Sequence, residues 1–124
     1  MIQPFLISVG SDIFEAVNGT SAALDTLERV GTALADPTRR RILLTLLGGP
    51  ANPGDLAAAL AATQPNVSNH LACLRGCGLV RAERQGRRVR YELASPRLAH
   101  ALADLVAIEL DIEAGHVPPD GRRG

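Results

Sequence analysis

Three features of the sequence predict a mainly α-helical domain carrying one β-hairpin, the winged helix-turn-helix arrangement. Apolar residues recur at helical spacing in five blocks between Ser21 and Glu113. Two of those blocks, 53–62 and 65–77, are short and are separated only by a turn at Ala62-Thr63-Gln64, as a helix-turn-helix requires. Behind them lie two alternating, β-branched runs, 79–82 and 89–93, joined through Gln85-Gly86-Arg87-Arg88, which read as a hairpin wing.

Each element has its own signals. Residues 1–20 mix an apolar cluster (Phe5, Leu6, Ile7, Val9) with Ile13, Phe14 and Val17 and are read as an N-terminal arm. Ser21 is placed to cap a first helix with Leu24, Leu27, Val30 and Leu34 along one face; that face needs a partner. Asp36-Pro37 restarts the chain, because Asp caps free N–H groups and Pro is tolerated at the first helical position. The second helix turns Ile42, Leu43, Leu46 and Leu47 inward and ends at Gly48-Gly49-Pro50. Asn52-Pro53-Gly54 opens a third helix with Leu56, Ala59 and Leu60 as its stripe, and the fourth packs Val67, Leu71 and Leu74 against it. After the wing, Ser95-Pro96 starts a last helix reaching about Glu113, whose broad stripe (Leu98, Leu102, Leu105, Val106, Ile108, Ile112) is wide enough to bury itself on another subunit. Residues 21–113 thus form one DNA-binding and dimerisation domain, and 114–124 a Pro- and Gly-containing tail.

Composition narrows the function. With 124 residues and 46% apolar residues the chain suits one core, and two cysteines without a leader pattern do not suggest a secreted disulfide scaffold. No run approaches the roughly 20 apolar residues of a membrane span, so a cytoplasmic protein without a membrane partner is expected. Thirteen basic residues balance thirteen acidic ones, but the distribution is uneven: Arg75, Arg81, Arg84, Arg87, Arg88, Arg90 and Arg97 face only Glu83 and Glu92 over the same stretch. That local excess suits a nucleic acid. No paired carboxylates, nucleophile–base pair or phosphate loop occurs at a usable spacing, so an enzyme is not expected.

The stretch 63–78 combines two chemistries. Its first half is polar and its second half carries Cys73 and Cys77. At i, i+4 the thiols lie side by side on one helical face, flanking the Val67/Leu71/Leu74 stripe. Three readings follow: two small buried hydrophobes, a redox pair, or ligands of a soft or borderline metal such as Cd, Pb or Zn. Helical i, i+4 Cβ atoms stand about 5–6 Å apart, whereas a disulfide wants about 3.5–4.5 Å. Chelation therefore needs less distortion than oxidation.

The order of elements, with ALADPTRRRILLTLL at 33–47, QPNVSNHLACLRGCGLV at 64–80 and GRRVRYEL at 86–93, resembles the ArsR/SmtB family of winged-helix repressors. The resemblance extends from Leu24 to Ile112. It implies a homodimer that binds double-stranded operator DNA, represses metal-resistance or efflux genes and lets go when metal binds. In such a fold the start of the fourth helix enters the major groove, which makes Gln64, Asn66, Ser68, Asn69 and His70 the candidate DNA contacts, with His70 able instead to pack inward. Arg87 and Arg88 at the wing tip suit the minor groove or its phosphates. Arg39, Arg40 and Arg41 suit either phosphates or a solvated face.

Members of the family that sense cadmium and lead carry cysteines in this helix, so Cd2+ or Pb2+ is the implied effector, with Zn2+ as a further candidate. Those sensors add a tail cysteine, which this sequence lacks. His116 is the nearest replacement as third ligand beside Cys73 and Cys77; Asp111, Glu113, His100 and His70 are weaker ones. The cysteines of the arsenic-type third helix and the Asp-x-His of the zinc-type last helix are absent. The alternative is a repressor without metal that answers to thiol oxidation or to a protein partner.

Overall fold

The computed structural model describes residues 21–112. The order is α1 (Ser21–Leu34), α2 (Pro37–Leu47), α3 (Pro53–Leu60), α4 (Gln64–Gly76), β1 (Val80–Gln85), β2 (Arg88–Leu93) and α5 (Pro96–Ala107), the winged helix-turn-helix expected from the sequence. The arm at 1–20 and the tail from 113, His116 included, lie outside the described residues.

The helices begin where the chain chemistry says they should. Asp36, Asn52, Thr63 and Ser95 are extended residues whose side chains accept the backbone N–H three positions on, each with proline at one of the next two positions. A carbonyl, carboxylate or hydroxyl oxygen there satisfies a donor that the first turn leaves orphaned. Thr63, which sequence reasoning placed in a turn, is the cap of α4.

Ile42, Leu43, Leu46, Leu56, Leu60, Val67, Leu71, Leu74, Leu79 and Val80 form the centre of the core, with Ala33 and Leu102 reaching it from α1 and α5. Each such large side chain contributes about 1.5–3 kcal/mol by leaving water. In α3 the buried set is Leu56, Ala57 and Leu60, and Ala59 is exposed. The stripe therefore runs i, i+1, i+4 instead of i, i+3, i+4, on a helix against which α2, α4 and β2 all pack.

The turn inside the helix-turn-helix is a left-handed cap. Ala61 sits at φ 54°, Ala61 N–H donates to Ala58 and Ala62 N–H donates to Ala57 at 2.9 Å. These are the two bonds of a Schellman motif, in a place usually filled by glycine. The wing strands pair antiparallel from Val80↔Leu93 to Gln85↔Arg88, longer than expected, with a two-residue tip at Gly86-Arg87. Gly86 has φ 62° and Arg87 does not have positive φ, the glycine-first pattern of a type II′ turn. Ala51 bridges Tyr91 by two bonds of 2.9 and 2.8 Å, which fastens the wing to the loop before α3.

The last helix is shorter than expected. It ends at Ala107, and Ile108 is extended. Glu109 and Asp111 follow, and carboxylates at a helix C-terminus oppose the negative end of its dipole. Leu24 and Leu27 on α1 and Leu105, Val106, Ile108, Leu110 and Ile112 at the other end of the chain remain exposed. No helix among the described residues is long and apolar enough to cross a membrane.

Candidate nucleic-acid interface and thiol pair

Helix α4 divides along its length and around its girth. Val67, Leu71 and Leu74 are fully buried, which fixes the rotation of the helix. Gln64, Asn66, Ser68 and Asn69 then have to face outward, and all four are exposed. Amides and hydroxyls held on a rigid outward face can pair with base edges in a major groove.

His70 is placed differently. It is half-buried, with Nδ1 3.7 Å from the Asp36 carboxylate and 3.5 Å from Arg39 Nη1. Asp36 already accepts the Arg39 backbone N–H, and that bond, with the nearby charges of His70 and Arg39, holds its carboxyl below the ordinary value of 3.8 against the opposing effect of burial. Arg39 donates from Nε and Nη2 to the Ala33 and Thr32 carbonyls at 3.2 and 2.8 Å, and Arg40 donates to Leu34 at 2.8 Å. These two arginines therefore close the carbonyl end of α1, a role the sequence reading did not consider; cations are favoured at that end of a helix dipole.

The wing sorts its charges by register. Arg81 pairs with Glu92 at 2.6 Å and Arg90 with Glu83 at 3.4 Å, both across the ladder on the outer face. Both acids of the wing are thus consumed. Arg84, Arg87 and Arg88 make no ion pair among the described residues and are exposed at or beside the tip. Arg84 was not singled out from sequence; its position opposite Val89 at the open end of the inner face is the signal that strand pairing supplies. Arg87 and Arg88 also border a polar cleft of about 460 Å³ shared with Asn52, Asp55 and Gln64. Recognition helix and wing therefore flank one groove.

At the other end of α4, Cys73 and Cys77 are both free and half-buried. Cys77 terminates the helix, its N–H donating to the Cys73 carbonyl at 2.9 Å. Burial, then the neighbouring Cys73, push the Cys77 thiol up, while the charges of Arg29 and Arg39 pull the other way. Arg29 Nη1 donates to the Gly76 carbonyl at 3.3 Å. Two sulfurs one helical turn apart suit a soft cation as two of its ligands. Among the described residues no group of three His, Cys, Asp or Glu side chains gathers around a common point, so the pair by itself offers two ligands and no more. His100 is exposed on α5, and Asp111 is exposed beyond it.

Comparison with known proteins agrees with this anatomy. Residues 36–82 match the bacterial regulatory proteins of the arsR family. The HTH-type transcriptional regulator CmtR of Mycobacterium tuberculosis is 60% identical over 87 residues, 70% of this chain and 74% of the relative. The NMR structure of the cadmium metal-sensor CMTR from Mycobacterium tuberculosis superposes with a TM-score of 0.60 at 55% identity, covering 77% of this chain and 99% of that one. A homodimeric winged helix-turn-helix DNA-binding domain from Mycobacterium bovis superposes with a TM-score of 0.66 at 35% identity, over 69% of this chain and 80% of that one. With a capped helix-turn-helix, a paired wing and this degree of identity, the chain belongs to the arsR family of bacterial regulatory proteins.

Proposed function

We propose that the protein is a metal-responsive transcriptional repressor that binds operator DNA as a homodimer and releases it when a soft ion, Cd2+ or Pb2+, binds at Cys73 and Cys77. The observation that carries this reading is the division of α4: exposed Gln64, Asn66, Ser68 and Asn69 at its start, and two free, half-buried thiols one helical turn apart at its end. One rigid helix therefore carries both chemistries. Similarity to a cadmium sensor supports the choice of metal, and the homodimeric relative supports the assembly. His116, in the tail, is the proposed further ligand, and Arg87 and Arg88 are the proposed wing contacts.

The chain's own residues give the mechanism. Drawing Cys73 and Cys77 onto one centre fixes the last turn of α4 and its link through Arg29 to α1. That biases the spacing of the two recognition helices in the dimer, on which binding to a two-fold site depends. Such couplings amount to about 1–3 kcal/mol and are reciprocal, so operator DNA must weaken metal affinity by the same factor.

Titrating the reduced protein with Cd2+ should produce thiolate-to-metal charge-transfer absorption, and an operator-binding assay against a panel of metals should show release by Cd2+ or Pb2+. If Cys73→Ser left both the band and the release intact, the thiol pair would not be the sensor.

A further inference from the structure

Helix α4 is seated in the core by Val67, Leu71 and Leu74, all fully buried. Helix α1 is held differently: it packs on α2, buries Ala33 alone and leaves Leu24 and Leu27 exposed. Apolar burial is non-directional, so one buried alanine leaves the direction of α1 to hydrogen bonds. Arg39 makes them. Its Nε and Nη2 donate to the Ala33 and Thr32 carbonyls at the end of α1, and its Nη1 lies 3.5 Å from His70 Nδ1 on α4. A guanidinium only donates, so Nδ1 is the acceptor in that contact. All three guanidinium nitrogens are thereby engaged inside the fold, and the side chain is half-buried. Arg40 is the built-in contrast: it closes the same end of α1 by donating to Leu34 at 2.8 Å, with no bond to α4 among the described residues.

We propose that Arg39 is a positioning residue for DNA binding: by tying the end of α1 to α4 it sets the angle between them, and with it the half-site spacing that the dimer accepts. This rests on the protein binding DNA as a homodimer with the exposed side of α1 at the interface, and it needs no metal. In such a dimer each recognition helix is carried at a fixed distance and angle from the two-fold axis, and a site fits when its half-sites lie about 34–36 Å apart or a multiple of that. A change of angle at α1 is enlarged along the way to α4. Arg29, whose Nη1 donates to the Gly76 carbonyl at 3.3 Å, ties α1 to the foot of α4. The recognition helix is thus held to α1 at its middle and at its end. The middle tie, at His70, stands next to Asn69 on the exposed reading face.

The test uses the full-length, reduced, metal-free protein and the duplex that the wild type selects from a random-sequence pool, with copies whose half-sites are one or two base pairs closer or farther apart. One base pair moves a half-site by about 3.4 Å and about a tenth of a turn. Arg39→Lys keeps the charge and loses the fork. Its preference for the selected spacing over a one-base-pair insertion should fall by about two- to thirtyfold, the range in which coupling residues act, with the salt dependence of binding unchanged. His70→Leu cuts the tie at α4 alone and should do the same; it decides the matter if Arg39→Lys does not fold. Arg40→Gln should keep the wild-type preference while losing thermal stability. An unchanged preference in Arg39→Lys or His70→Leu would overturn the assignment, even if affinity fell evenly at every spacing. So would an equal change in Arg40→Gln, which would trace the effect to the end of α1 alone. A salt slope flattened by about 0.9 in Arg39→Gln, with the spacing preference intact, would make Arg39 a phosphate contact instead. A wild type indifferent to spacing would remove the dimeric reading beneath the proposal.

Discussion

His70 Nδ1 stands 3.7 Å from the Asp36 carboxylate, so the histidine of the recognition helix turns toward α2 while its neighbour Asn69 faces solvent. Adjacent residues on one helix are about 100° apart, and the buried triad Val67, Leu71 and Leu74 decides which of them points in.

The pair separates support from readout. His70→Ala removes a half-buried polar contact and should cost about 1 kcal/mol, a drop of about 4–8 °C in thermal midpoint for a domain of this size. Asn69→Ala should leave the midpoint unchanged and cost about 1–3 kcal/mol in discrimination between operator and a base-substituted site. Melting curves and fluorescence anisotropy on the two DNAs check both. An equal loss of discrimination in His70→Ala would mean that the histidine touches bases.

Asp36 should shape the acid limb of stability. Its folded carboxyl lies below the ordinary 3.8, chiefly because the Arg39 N–H bonds to the charged form. An unfolded chain therefore takes up the proton first as pH falls. The stabilisation is complete above the unfolded value and is lost as pH drops through the folded one. Asp36→Asn keeps a capping oxygen but cannot titrate, so its stability should change less than wild type below about pH 4. Denaturant midpoints measured from pH 6 to pH 2 show the difference, and parallel curves would deny Asp36 this role.

The wing predicts an unequal set of arginines. Arg87→Ala or Arg88→Ala should each flatten the log–log dependence of DNA affinity on salt by about 0.9 if the side chain neutralises one phosphate. Arg81→Ala should change it little, because that guanidinium is held by Glu92 at 2.6 Å. Arg84, unpaired and beside the tip, should behave like Arg87. Salt titrations of the four variants rank them directly, and equal slopes for Arg81 and Arg87 would remove the distinction.

Much of this was legible before any coordinates. The Asp36-Pro37, Asn52-Pro53 and Ser95-Pro96 dipeptides located helix starts because cap chemistry is local. The i, i+4 thiols could be placed together because helical spacing is local too. What the sequence hid was decided by tertiary partners. Arg39 and Arg40 look like a basic run, but their carbonyl acceptors belong to α1. The pairing of Arg81 and Arg90 with Glu92 and Glu83 needs the strand register. The choice of Ala57 over Ala59 depends on which elements pack on α3.

Ala61 offers a stabilising change. Its φ of 54° puts Cβ near the following carbonyl, at a cost of about 1–2 kcal/mol for an L-residue. Ala61→Gly removes that strain but adds freedom to the unfolded chain, worth about 0.4–1 kcal/mol in the opposite direction. The net should be a gain of up to about 1 kcal/mol in equilibrium denaturation, with DNA affinity unchanged, since the turn geometry is preserved. A loss of stability would mean that the Ala61 methyl makes contacts worth more than its strain.

The exposed apolar residues at the two ends of the described chain predict how the protein assembles. Leu24 and Leu27 on α1, and Leu105 and Val106 on α5, are 48–63% exposed in the single chain. A monomer would keep this surface in water, whereas a standard interface buries about 800 Å² on each partner. Leu105→Asp places a charge on that surface without touching the core around Leu102, which is 4% exposed. Sedimentation should find the wild type dimeric at micromolar concentration and Leu105→Asp largely monomeric with its helix content intact. The monomer should also lose operator binding, because a single recognition helix reads only one half-site. If Leu105→Asp stayed dimeric, the interface would not involve the C-terminal half of α5, and the coupling from Cys77 through Arg29 to the dimer would need another route.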